Sequence, residues 1–109
     1  MNNKKKIGFV GLGLIGGSIA KAIRQYYPNY EIVAFDKNKE TLALATQESV
    51  IDVACTTIDD NFDNCNYIFL CAPVSYNTAY LKQLKSHLNM NCILTDVGSV
   101  KTSIHKEVI

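Results

Sequence analysis

Short apolar runs alternate with amphipathic stretches along the chain, and this alternation predicts strands interleaved with helices. Ile7-Gly8-Phe9-Val10 is the first apolar run. Ile15, Ile19, Ala22, Ile23 and Tyr26 then recur at helical spacing and predict a helix with that stripe buried, ended by Pro28 and Asn29. Tyr30 to Phe35, rich in aromatic and β-branched residues, reads as a second strand. Asn38 stands where an N-cap is expected, ahead of good helix formers from Lys39 to Ala45. A short strand is expected around Val53-Ala54-Cys55, then a polar loop or single helical turn from Thr56 to Asn66. The near-continuous apolar run from Asn66 to Ala72 suits a central parallel strand covered on both faces, stopped by Pro73. Tyr76, Tyr80, Leu84 and Leu88 keep the period of another helix. Cys92 to Thr95 reads as the next strand, and Val100 to Ile109 as the start of a further helix.

This order predicts an α/β fold: a doubly wound parallel sheet of five to six strands in the order 3-2-1-4-5, joined by right-handed crossovers. The switch point of such a sheet lies between strands 1 and 4, and ligands bind at the carboxyl ends there. The segments Gly11 to Gly16, Ala72-Pro73-Val74 and Asp96 to Ser99 are therefore expected around one crevice.

The first of these segments carries chemistry. Gly11, Gly13 and Gly16 occupy the G-x-G-x-x-G spacing between a strand and a helix, as in a Rossmann-type dinucleotide site. The first glycine permits the tight turn, the second lets backbone approach a pyrophosphate, and the third lets the helix pack on the sheet. The free amides and positive dipole at the helix start would receive the phosphates. Asp36 ends the second strand, where an acidic residue accepts hydrogen bonds from the adenosine ribose and repels a 2′-phosphate; this argues for NAD over NADP. Lys37 beside it tempers that preference. A plainer reading makes Asp36 a cap for the next helix.

Composition narrows the field without adding chemistry. The chain has 109 residues, 48% hydrophobic and 19% charged, with a net charge of +1. That is one domain of ordinary globular type, with no electrostatic argument for nucleic acid or an anionic membrane. Cys55, Cys65, Cys71 and Cys92 lack zinc-ligand spacing and read as free thiols of a cytoplasmic protein, with Cys71 and Cys92 expected to be buried. Lys4-Lys5-Lys6 before an apolar run resembles a secretory leader, but five glycines between residues 8 and 17 make a poor leader helix. No stretch approaches the ~18 apolar residues of a membrane span.

Other patterns are weaker. Asp59-Asp60-Asn61-Phe62-Asp63 begins like a calcium loop, but Asn64 and Leu70 stand where glycine and glutamate are needed, so a solvated loop is expected. His87 and His105 read as surface histidines and no metal site is expected. Tyr26, Tyr27 and Tyr30 read as core and rim. For Thr95 to Lys101, two readings stay open: a site at a strand end, or Ser99 as the N-cap of the last helix.

Val10 to Ala20 resembles the opening motif of the prephenate dehydrogenases, a family that includes arogenate dehydrogenases. Asp96-Val97-Gly98-Ser99-Val100-Lys101 resembles its second motif, and Leu70 to Val74 is similar to its fourth-strand loop. The resemblance implies an NAD-linked oxidative decarboxylation of prephenate to 4-hydroxyphenylpyruvate, in tyrosine biosynthesis. It implies that Gly11, Leu12, Gly13, Leu14, Ile15 and Gly16 cradle the pyrophosphate, Asp36 holds the ribose, and Ala72, Pro73 and Val74 line the cleft. Ser99 would sit by the nicotinamide as a catalytic residue, with Lys101 left outside that set. The family's general base is a histidine in a later motif that His105 does not match. Residues 1–109 are thus expected to be the dinucleotide-binding domain, without the helical domain that contacts substrate and forms a homodimer, and to be inactive alone. The alternatives are an arogenate dehydrogenase, another module such as a β-hydroxyacid dehydrogenase or pyrroline carboxylate reductase, or a non-catalytic NAD sensor.

Overall fold

The computed structural model describes residues 5–72, 74–88 and 91–97, with only the backbone of 74–78 and 96. Five strands form one parallel sheet: β1 (Lys6–Val10), β2 (Glu31–Phe35), β3 (Val53–Cys55), β4 (Tyr67–Leu70) and β5 (Ile93–Asp96), in the order β3-β2-β1-β4-β5. The expected strand order is therefore observed. Helix α1 (Gly13–Tyr26) joins β1 to β2, α2 (Lys39–Gln47) joins β2 to β3, and α3 (Val74–Leu84) joins β4 to β5.

Side chains of the central strands alternate between two cores, as a sheet covered on both faces requires. Ile7, Phe9, Ile32 and Ala34 face one cluster with Ala20 of α1 and Leu42 of α2. Val10, Val33, Phe35, Ile68 and Leu70 face the other, with Leu84 of α3. Phe62, in a 3-10 turn at Asp60–Phe62, completes this second cluster and is wholly buried. It fits because Gly8 has no side chain: a β-carbon there would lie 3.0 Å from the Phe62 ring and 3.1 Å from Cys65 Sγ. The polar segment expected around this turn thus hides a core residue.

Several local expectations shift. The buried line of α1 runs through Gly16 and Ala20, flanked by half-buried Ile19 and Ile23, while Ala22 and Tyr26 are exposed. Close packing on the sheet selects the small residues, so the helix is rotated from the face its large residues suggested. Helix α3 ends at Leu84 and a 3-10 turn, Lys85–His87, precedes Leu88, so the four-residue period outlasts the helix. Asn38 caps α2 as expected, its side chain accepting from the Glu40 and Thr41 amides. None of the four cysteines is in a disulfide, but Cys55 and Cys65 are the buried pair and Cys71 and Cys92 are half-buried. Tyr26 and Tyr27 are exposed rim residues, and Tyr27 stacks at 4.7 Å on half-buried Tyr30, which packs against the core, so the cluster spans core and rim as expected. Among the described residues no helix is long and apolar enough to cross a membrane.

Candidate functional site

The glycine turn is built from backbone close to backbone. Gly11 has φ +88° and Gly13 φ +53°, both in the left-handed region that favours glycine. A β-carbon on Gly11 would come within 2.8 Å of the Ala72 amide nitrogen, so the β1 turn and the end of β4 meet only because that atom is missing. One on Gly16 would lie 2.9 Å from the Gly11 carbonyl oxygen, which seats α1 against its own turn. Around Gly13 there is open space. Gly11 and Gly16 thus meet two separate steric demands that their spacing predicts, and Gly13 has a positive φ with open space beside it.

The turn delivers α1 with an exposed positive end. The N-cap residue is Leu12, whose side chain accepts nothing, so the first-turn amides lack both a local cap and intrahelical acceptors. Such amides are an anion site when a cleft lies before them. Here the cleft has a volume of about 220 Å³, and its walls include Gly11, Leu12, Gly13, Asp36 and Ala72. It lies at the carboxyl ends of β1, β2 and β4, where the switch point of the sheet falls.

Asp36 closes the rim. Its Oδ2 accepts from the Leu12 amide at 2.9 Å and its Oδ1 from the Asn38 amide at 2.8 Å. The plainer reading, a cap for the following helix, is not what is found, since Asn38 caps α2 with its own side chain. Lys37 shares the cleft wall. An acidic group beside amides and open glycine backbone matches the donor and acceptor needs of a dinucleotide, so the residues present fit that ligand.

Not every expected residue lines this space. Gly11, Leu12, Gly13, Asp36 and Ala72 come together there, with the side chain of Leu12 turned into the core. Leu14 points away and is 90% exposed, and Ile15 and Gly16 belong to the helix behind the turn. Val74 is the first residue of α3, which brings its backbone to the same end of the sheet. Pro73, Ser99, Lys101 and His105 lie outside the described residues. Phe35, Cys71 and Tyr80 also line the cleft; Cys71 belongs to the Leu70 to Val74 segment, but none of the three was itself expected there. Tyr80 meets Phe35 edge-on at 5.1 Å, a contact visible beforehand only as one position of an apolar stripe.

His87 corrects another expectation. Its side chain is 16% exposed, with Nδ1 2.8 Å from Asp63 Oδ1 and 3.8 Å from Asp60 Oδ1, so it is not a free surface histidine. These three groups sit before β4 and β5, at the end of the sheet opposite the cleft.

The family model described as prephenate dehydrogenase, nucleotide-binding domain, matches residues 19–109. A prephenate dehydrogenase of Lactococcus lactis is 35% identical over 92% of this chain, which spans 28% of that relative. Among solved structures, prephenate dehydrogenase of Aquifex aeolicus in complex with hydroxyphenyl propionate and NAD+ superimposes with TM-score 0.78 at 28% identity, covering 87% of this chain and 34% of that one. An arogenate dehydrogenase of Synechocystis gives 0.76 at 32% identity, covering 84% and 32%. The chain therefore spans about a third or less of these relatives.

Proposed function

The chain belongs to the prephenate dehydrogenase family, and from that premise we propose that its cleft binds NAD for the oxidative decarboxylation of prephenate to 4-hydroxyphenylpyruvate. The single observation that carries this reading is the glycine turn itself: uncapped α1 amides and the Asp36 carboxylate open on one cleft at the switch point. The Aquifex relative's complex with NAD+ supports the same ligand here.

In this reading the Gly13, Leu14 and Ile15 amides take the pyrophosphate, with Gly16 seating their helix. Asp36 takes the adenosine ribose, and its negative charge disfavours a 2′-phosphate. Ala72, Pro73 and Val74 form the wall towards β4, and Ser99 orients the reacting groups beside the nicotinamide. Bound NAD supplies the hydride acceptor. A proton must also leave the substrate hydroxyl, and among the described residues no histidine faces the cleft, since His87 lies at the other end. In this reading the 109 residues act as the dinucleotide-binding module of the family, in keeping with their spanning about a third or less of the relatives. Arogenate in place of prephenate is the second reading, supported by the likeness to the Synechocystis enzyme.

Calorimetric titration with NAD and NADP tests the ligand: NAD is expected to bind more tightly, and equal affinities would overturn the role of Asp36. The same protein incubated with NAD and prephenate is expected to produce no NADH; steady production would refute the module reading.

A further inference from the structure

We infer that Asp36 is a positioning residue as well as a ribose ligand: it is a remote cap that holds the glycine turn in its phosphate-receiving shape. Leu12 fills the N-cap position of α1 but is apolar and 2% exposed, so it cannot cap its own helix. Its buried amide needs an acceptor, and Asp36, 24 residues on, supplies Oδ2 at 2.9 Å. The preceding amide, Gly11, donates to the Phe35 carbonyl at 2.7 Å. Two consecutive amides of the turn are thus tied to two consecutive residues at the end of β2.

The other carboxylate oxygen is engaged too, on the Asn38 amide, so Asp36 is itself fixed from the α2 side. This matters because the tied segment lies between glycines at φ +88° and +53°, residues that sample many conformations when unrestrained. The tether removes that freedom before any ligand arrives, which raises affinity by lowering the ordering cost. It also withdraws the Leu12 amide from the ligand, leaving Gly13, Leu14 and Ile15 to meet it. The inference rests on the dinucleotide reading for the identity of the ligand, but its hydrogen bonds do not.

Inorganic pyrophosphate separates the roles, because it has phosphates and no ribose. A pure ribose ligand predicts that Asp36→Ala leaves pyrophosphate binding unchanged, or tightens it, since a negative charge has gone. A tether predicts the opposite sign: pyrophosphate binding weakens about tenfold in Asp36→Ala, with partial recovery in Asp36→Asn, which keeps one acceptor. In the ligand-free protein, hydrogen exchange of the Leu12 amide should accelerate at least about tenfold in Asp36→Ala while Phe9 and Val10 in β1 keep their protection. Unchanged Leu12 exchange in that variant overturns the inference whatever the ligands do. If instead the unsubstituted protein binds neither NAD nor pyrophosphate, the dinucleotide reading fails, and the exchange rates still decide the tether.

Discussion

Gly11 and Ala72 approach so closely that a β-carbon on the glycine would stand 2.8 Å from the Ala72 nitrogen and 2.9 Å from its α-carbon. Both are backbone atoms, fixed by the Cys71 and Ala72 amides donating to the Val10 carbonyl at 2.9 and 3.1 Å, so neither can swing aside. Gly11→Ala is expected to cost about 3 kcal/mol, combining the clash with the strain of φ +88°. Urea denaturation measures the loss, and NAD affinity should fall with it, because the clash splays the turn from β4.

Gly16 and Gly17, adjacent in α1, behave oppositely. Gly16→Ala presses on the Gly11 carbonyl at 2.9 Å, whereas at Gly17 nothing lies within 4 Å of an added β-carbon. Gly17→Ala is expected to raise stability by up to about 1 kcal/mol, through helix propensity alone. Paired melting curves of the two variants check this: Gly16→Ala lowers the midpoint, Gly17→Ala leaves or raises it.

Arg24 ties the end of α1 to the neighbouring loops. Its guanidinium donates to the Pro28 and Tyr30 carbonyls at 3.0 and 3.1 Å and to Asp52 Oδ2 at 2.7 Å, and the same oxygen accepts from the Ile32 amide at 2.8 Å. Arg24→Met keeps the apolar stem but leaves these acceptors with water, at an expected cost of about 2 kcal/mol. Arg24→Lys should recover only part, because an ammonium cannot fork to several acceptors at once. Chemical denaturation reads both, with NAD affinity unchanged since the clamp is remote from the cleft.

Alkaline pH should weaken the fold through two thiols. Burial, with the Asp59 charge, pushes Cys55 up to about 11, and burial pushes Cys65 up to about 12, from an ordinary value of 9.0. Both values rise on folding, so the stabilisation is complete below pH 9 and is lost as the pH climbs towards 11 and 12. The unfolded chain ionises first, and stability falls by roughly 1.4 kcal/mol per pH unit for each thiol. Urea midpoints between pH 8 and 10 should drop less steeply in a Cys55→Ala, Cys65→Ala double variant than in the parent.

Much of the cleft's glycine turn is legible in the sequence. The G-x-G-x-x-G spacing and the acidic end of the second strand are local patterns, and the Gly11 and Gly16 geometries answer the steric demands that the spacing implies. The hydrogen bond from the Leu12 amide to Asp36 was not legible, because Leu12 is apolar and only its backbone amide takes part. Tyr80 and Phe35 were hidden for a similar reason, as apolar stripe positions give no hint of which cavity they border.

By itself the amino-acid order determined what short-range physics can write: alternating periods for strands and helices, turn glycines at required offsets, an N-cap at Asn38, and hence the β3-β2-β1-β4-β5 sheet with its cleft. Tertiary structure alone decided the pairings between distant segments. It turned α1 onto Gly16 and Ala20, slid the Phe62 ring over Gly8, drew His87 to Asp63, and hung the Leu12 amide on Asp36. Each of these depends on how closely two elements approach, and packing of the whole core sets that distance, which no single segment encodes.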